Sequence, residues 1–347
     1  LLDQTNGWKR VLIEKPFGTN LKSAIDLQES ISKHLNEDQI YRIDHYLGKS
    51  ALQNILVTRF ANSILEPIWN SSHIDHIQIT NHEMLGVGDR TTFYESTGAL
   101  RDMIQSHLLQ MMALTTMEQP KSFSPNDIRK EKIKLLESIT PINQNNFKSH
   151  AFRAQYAAGE IKGEGKVDSY LSEVDNQDSI TETYAAVKIF IDTPRWKGVP
   201  IYLRTAKRLS SSGTNISVKF KNGDSLIGDN NNWIVFNIQP KESTSIEITT
   251  KTPGLNENEL RPTNLEGLNR IDGDESIDAY ETLMLDLISG NQSRFLHIDE
   301  VKAQWKFVDP IIDFWTKNKV KLDQYNSGSS DPDSSRIIFE DPSQFWR

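Results

Sequence analysis

Cysteine is missing from this chain altogether, which excludes disulfides, thiolate metal ligands and thiol nucleophiles. Long apolar runs are missing as well, so no segment reads as a transmembrane helix. The opening residues, Leu1-Leu-Asp-Gln-Thr-Asn6, lack the basic start and apolar block of a secretory signal, and a cytoplasmic protein with no membrane attachment is expected. Basic residues (39) are outnumbered by acidic ones (47), and the net charge of −8 argues against a nucleic-acid binder. No Gly-x-Gly-x-x-Gly follows a strand pattern, so the dinucleotide fingerprint is not there. His73, His76 and His82 have no companion ligands at useful spacing, and no metal is expected.

What is present is ordinary globular material. The chain has 347 residues, 37% hydrophobic and 25% charged, enough for one large domain or two. Chemically usable side chains are densest in Tyr41-Arg-Ile-Asp-His-Tyr-Leu-Gly-Lys49. Its apolar lead-in reads as a strand, and Gly48 with Ser50 onward reads as a turn into a helix. The cluster then sits at a strand's carboxyl end, where open α/β sheets bind ligands. Strand alternation predicts that Asp44 and His45 face opposite ways. His45, Tyr46 and Lys49 offer imidazole, hydroxyl and cation to a phosphate dianion. The alternative reading is a buried Asp44–Arg42 pair beside a solvated lysine.

Along the chain, Trp8–Glu14 reads as a strand ending at Lys15-Pro16, and Leu21–Leu35 as an amphipathic helix. Ile74–Glu83 alternates like a half-buried strand. Phe93–Glu118 reads as one long helix. On it His107 shares a face with Met103, Ile104 and Met111, as a satisfied core histidine would, and Asp102 lies nearly opposite His107 on an α-helical wheel. Ser124-Pro starts another helix to about Ile139. Residues 143–177 read as a long surface loop with one short strand at Phe152–Tyr156. Strands are expected at Tyr184–Ile191, Val199–Leu203, Ile216–Phe220, Trp233–Ile238 and Ile246–Thr250, with turns at Asn222-Gly-Asp224 and Asp229–Asn232. Helices near Ile277–Ser289 and Ile298–Trp315 follow, and Asn326–Ser335 reads as a mobile link. Successive strands without helices between them predict an α+β fold: a large, mainly antiparallel sheet with helices on one face.

Arg42-Ile-Asp-His-Tyr-Leu-Gly-Lys49 resembles the signature of glucose-6-phosphate dehydrogenases. Glu14-Lys-Pro-Phe-Gly18, Arg59-Phe-Ala-Asn62, Pro67-Ile-Trp-Asn70, Gly98-Ala-Leu-Arg-Asp102, Val199-Pro-Ile-Tyr-Leu-Arg204 with Lys207, Gln239-Pro240, Thr252-Pro-Gly254 and Asp278-Ala-Tyr-Glu281 continue that family's order from about Gly7 to near the C-terminus. The resemblance implies oxidation of glucose 6-phosphate at C1 with NADP or NAD as coenzyme, in the oxidative pentose phosphate pathway. It implies His107 as general base with Asp44 orienting it, against the core-histidine reading. His45, Tyr46 and Lys49 would hold the 6-phosphate, and Glu83 and Asp102 the sugar hydroxyls. Lys15 and Lys207 would flank the reacting end, with Lys15 and Pro16 near the nicotinamide. A homodimer, or a dimer of dimers, through the large sheet is implied too.

Against that family, residues 1–37 read as the last strand and helix of a Rossmann domain and 38–347 as a complete substrate and dimerisation domain. A second, structural NADP site is not expected, because only Arg204 of its basic set has a counterpart, while Asn237, Ser245 and Glu247 fill aligned positions. Ser212 stands where a basic substrate contact is common. Two other readings stay open: another sugar dehydrogenase of the Glu-Lys-Pro group, or a sugar-phosphate-binding or dimerising module without catalysis.

Overall fold

Nine strands pair in the order β12-β11-β10-β9-β3-β8-β7-β4-β13 in the computed structural model, which describes residues 7–223, 231–254, 259–268, 278–318 and 322–347. They are β3 (Ile74–His82), β4 (Ala151–Ala157), β7 (Tyr184–Ile189), β8 (Ile201–Ala206), β9 (Gly213–Phe220), β10 (Trp233–Gln239), β11 (Ser243–Lys251), β12 (Leu260–Leu268) and β13 (Asp323–Asn326). Only β3–β8 and β4–β13 are parallel, so the expected mainly antiparallel sheet is what forms. Ahead of it, β1 (Val11–Ile13) pairs in parallel with β2 (Ile40–Arg42) across helix α1 (Leu21–Ser32), and this small sheet runs through Arg42.

The period-2 pattern divides the sheet's two faces. Val187, Ile189, Ile201, Leu203, Ile216 and Val218 meet the helices α2 (Ser50–Phe60), α4 (Leu109–Thr116), α5 (Pro125–Glu137) and α9 (Ile298–Lys317) in the main core. Tyr184, Ala186 and Tyr202 point the other way, where Tyr325, Phe339 and Trp346 of the C-terminal segment cover them. Each large side chain so buried is worth roughly 1.5–3 kcal/mol.

Three expectations are corrected. Residues 143–177 keep the expected short strand as β4, but the rest is not a loop: single-turn α6 (Phe147–His150), a β5–β6 hairpin (Gly159–Ile161, Gly165–Val167) and single-turn α7 (Tyr170–Glu173) lie in it. Residues 326–335 are docked rather than a link, with Asp331 paired to Arg204 and Ser335 buried. The long helix over 93–118 is three pieces: α3 (Thr91–Ala99), a π-helix (Leu100–Leu108) and α4, broken at Gly98, whose φ of 69° and ψ of 170° are not helical. The two expected hairpin turns and the start of the helix at Ile277 fall wholly or partly outside the described residues.

The end of α4 shows why two of the resembled motifs matter physically. Arg59 donates to the carbonyls of Leu114 and Met117, Trp69 to Thr115 and Trp196 to Thr116. These are carbonyls that a helix leaves without internal partners. The helix carrying His107 is thereby fixed at its C-terminal end.

Candidate active site

Strand β2 stops at Arg42, and Asp44 caps a 3₁₀ turn over His45–Gly48 by accepting the Tyr46 N–H at 3.0 Å. Strand alternation therefore ends before it could separate Asp44 from His45, and that expectation is corrected. Asp44 Oδ1 lies 2.5 Å from His107 Nδ1, and the His45 ring stands edge-on to the His107 ring at 4.8 Å. Nor does Arg42 pair with Asp44. It binds Glu37 at 2.6 Å and Gln28 instead, serving the turn beneath.

The π-helix resolves the placement of Asp102. Its hydrogen bonds run i→i+5, so residues five apart stack about one turn on rather than on opposite sides. Asp102 and His107 are five apart, and the charge of Asp102 acts on both His107 and Lys15. His107 is nevertheless almost fully buried, as a core histidine would be. Both its ring nitrogens are engaged: Nδ1 with Asp44, and Nε2 with Lys15 Nζ at 2.8 Å. Lys15 also donates to the Asp102 carbonyl at 2.7 Å.

Electrostatics fix the protonation states. Burial alone would favour neutral Asp44, but His107 and Lys15, with hydrogen bonds from His107 and from Ser106 Oγ (2.7 Å), hold it well below the usual carboxylate range. Burial, reinforced by the Lys15 charge, lowers His107 against the opposing pull of Asp44. An ionised Asp44 beside a neutral imidazole places the proton on Nδ1 and leaves Nε2 as a base. Burial lowers Lys15 too. His45 is pushed down to about 4 by burial, by repulsion from the His107 ring once that is protonated, and by Lys15 and Lys49, so at neutral pH it offers one N–H and no charge.

The remaining expected residues divide. Lys207 Nζ binds Glu83 at 2.5 Å, joining the ends of β3 and β8, and Lys207 sits over the Tyr94 ring. Lys49 Nζ lies 5.4 Å from the Tyr46 ring centroid. The Tyr46 hydroxyl is turned into the sheet, where it accepts from Asn81 at 2.9 Å, so its ring rather than its hydroxyl faces His107. A cavity of about 260 Å³ opens beside Lys15, Pro16 and Asp102, walled by Phe17, Phe93 and Trp305. Arg204 is committed to Asp331, and Glu247 pairs with Arg347.

Two participants carried no role in the sequence reading. Ser106 escapes periodicity because it adjoins His107, and only the π-helix turns both toward Asp44. Tyr280, on helix α8 (Ala279–Ser289), lies parallel to His45 at 6.2 Å; its one signal was membership of Asp278-Ala-Tyr-Glu281.

Comparison with known proteins points to one family. The family model for the glucose-6-phosphate dehydrogenase C-terminal domain matches residues 56–347, and that for the same family's NAD binding domain matches residues 1–54. Glucose-6-phosphate 1-dehydrogenase of Bacillus subtilis is 43% identical over 352 residues, 99% of this chain and 71% of its own length. That of Chlamydia pneumoniae is 41% identical over 358 residues, 99% of this chain and 69% of its own. A solved glucose-6-phosphate dehydrogenase in complex with its substrate glucose-6-phosphate superposes with a TM-score of 0.91 at 34% identity, covering 100% of this chain and 71% of that one.

Proposed function

The chain belongs to the glucose-6-phosphate dehydrogenase family, and we propose that its site oxidises D-glucose 6-phosphate at C1 to 6-phospho-D-glucono-1,5-lactone. The observation that carries this reading is the Asp44–His107–Lys15 chain, with contacts of 2.5 and 2.8 Å, in which Asp44 sets the proton on Nδ1 and the Nε2 lone pair accepts from Lys15 until a substrate hydroxyl takes that place. Nε2 of His107 takes the proton of the C1 hydroxyl, and Asp44 steadies the imidazolium that results. Glu83 and Asp102 hold the sugar hydroxyls, Lys207 and Lys15 flank the reacting end, and His45 and Lys49 hold the 6-phosphate beside the Tyr46 ring.

A bound nicotinamide supplies the hydride acceptor. The flat aromatic and proline walls beside Lys15 suit a planar ring, and Lys15 and Pro16 are the residues that would hold it. NADP is the coenzyme we assign, with NAD the alternative. We further assign a homodimer, or a dimer of dimers, formed through the large sheet. Ile246, Leu265 and Leu268 of β11 and β12 are exposed apolar side chains on that part of it. No helix among the described residues is long and apolar enough to cross a membrane, which accords with the cytoplasmic placement we assign.

Calorimetric titration with glucose 6-phosphate, with glucose as control, tests the reading. Saturable binding of the ester alone is expected. Equal binding of both sugars, or of neither by folded protein, would overturn the phosphate assignment.

A further inference from the structure

Glu182 lies just before β7, buried and outside the residues given roles above. Its Oε1 accepts the Leu100 N–H at 3.0 Å and its own carbonyl accepts the Ala99 N–H at 2.9 Å. These are first-turn donors of the π-helix, which a helix start leaves without internal partners. Just upstream, Gly98 turns the chain at φ 69°, and a Cβ there would come within 2.5 Å of Glu182 Oε1. The carboxylate thus fills space that only glycine leaves open. The following residue, Thr183, accepts the Lys207 N–H at 3.1 Å, so this short segment touches both sides of the site.

A π-helix is uncommon and appears mostly as a local feature within α-helices, frequently at functional sites. Here its far end continues into α4, whose last carbonyls are held by Arg59, Trp69 and Trp196. Its near end is held by Glu182. Relaxation of the intervening stretch to α-helix would turn Asp102 and His107 apart and draw Nδ1 away from Asp44.

We propose that Glu182 is a positioning residue: by accepting the Leu100 N–H, its side chain holds the π-helix in the register that sets His107 between Asp44 and Lys15. The proposal rests on the reading of His107 as the base. What acts is the placement of the oxygen. The rival explanation is the negative charge, since Arg153 and Arg101 lie close enough to influence Glu182.

Two variants separate these explanations. Glu182→Gln keeps an oxygen at the same reach without the charge, and Glu182→Asp keeps the charge on a stem one methylene shorter. The readouts are the downfield proton resonance of the His107 Nδ1–H bound to Asp44, recorded without substrate, and calorimetric affinity for glucose 6-phosphate. Glu182→Gln is expected to match the unmodified protein in both. Glu182→Asp is expected to shift or broaden the resonance and, because the same register places Asp102 among the sugar contacts, to bind about tenfold more weakly, roughly the loss of one hydrogen bond to a charged group. Gly98→Ala, which crowds the same carboxylate, should displace the resonance too. An unchanged resonance in Glu182→Asp or Gly98→Ala overturns the proposal, as does a Glu182→Gln variant as impaired as Glu182→Asp. A protein that binds no glucose 6-phosphate yet shows the expected resonances counts against the functional reading alone.

Discussion

Lys15 Nζ stands 2.8 Å from His107 Nε2, on the nitrogen proposed to receive the substrate's proton. The ammonium does two things there. It donates to the lone pair while the substrate is away, and its charge keeps the imidazole from binding a proton of its own. The base is therefore kept neutral by its neighbour as well as by burial, while Asp44 on the other side pulls the opposite way.

Removing that charge tests the balance. Burial is the largest cause of the lowered His107 pKa and Lys15 adds to it, so Lys15→Met should let the pKa rise toward the usual imidazole value. In a pH titration of the His107 ring protons by NMR, the midpoint should move up. The acid limb of turnover, which requires neutral His107, should move to higher pH with it. A midpoint that stays or falls would show that Lys15 is not charged against the ring.

His107→Asn removes the base but leaves an amide that can still face Asp44. Loss of a positioned general base costs about 10²–10⁴ in rate, so turnover with NADP+ should fall by that much. Affinity for glucose 6-phosphate, carried by His45, Lys49 and the sugar contacts, should hold within about threefold, a difference of under ~1 kcal/mol. Retained turnover would remove His107 from the mechanism.

His45 provides a pH signature of its own. Burial and the surrounding cations hold it at about 4 in the free site. A phosphate dianion facing it favours the charged ring, so its pKa must rise on binding. Between that free value and the bound one, the ring should take up a proton on binding. Near pH 5 the ester itself, with a second pKa of about 6, gives up a proton as it binds as the dianion, so the His45 uptake is read as a difference: in buffers of different ionisation enthalpy, His45→Gln should release more protons on binding than the unmodified protein. Equal proton counts in the two proteins would mean that the phosphate does not meet His45.

The parts of this architecture that sequence could show are those that follow a period. Alternation in Ile74–Glu83 and the β-rich runs at Tyr184–Ile191 and Val199–Leu203 pointed to the sheet, and the apolar lead-in to Asp44 placed the cluster at a strand end. The β5–β6 hairpin stayed hidden because its three-residue strands are too short to show alternation. β13 was hidden because Asp323-Gln-Tyr-Asn326 is polar apart from the buried Tyr325. Within the site, Asp44 stood out by residue type and by family order, but His107 by family order alone, since its helix face reads as core. Their relation to Asp102 did not, because a wheel drawn for 3.6 residues per turn misplaces every residue of a π-helix.

Gly48 offers a last test, of a wall rather than of a reacting group. A Cβ at this position would lie 2.5 Å from the Ala279 carbonyl oxygen, a backbone atom in the first turn of α8. That turn carries Tyr280, stacked on His45, and follows Asp278, whose charge supports protonated Lys49 against its burial. Gly48→Ala must push α8 outward and so separate both from the residues assigned to the phosphate. Overpacking of this kind costs roughly 1–3 kcal/mol, visible as a lower melting temperature. The larger effect should be on the ligand: about a tenfold weaker titration with glucose 6-phosphate, equivalent to about 1.4 kcal/mol. If stability falls while affinity is untouched, α8 does not wall the phosphate site, and the glycine is required only for packing.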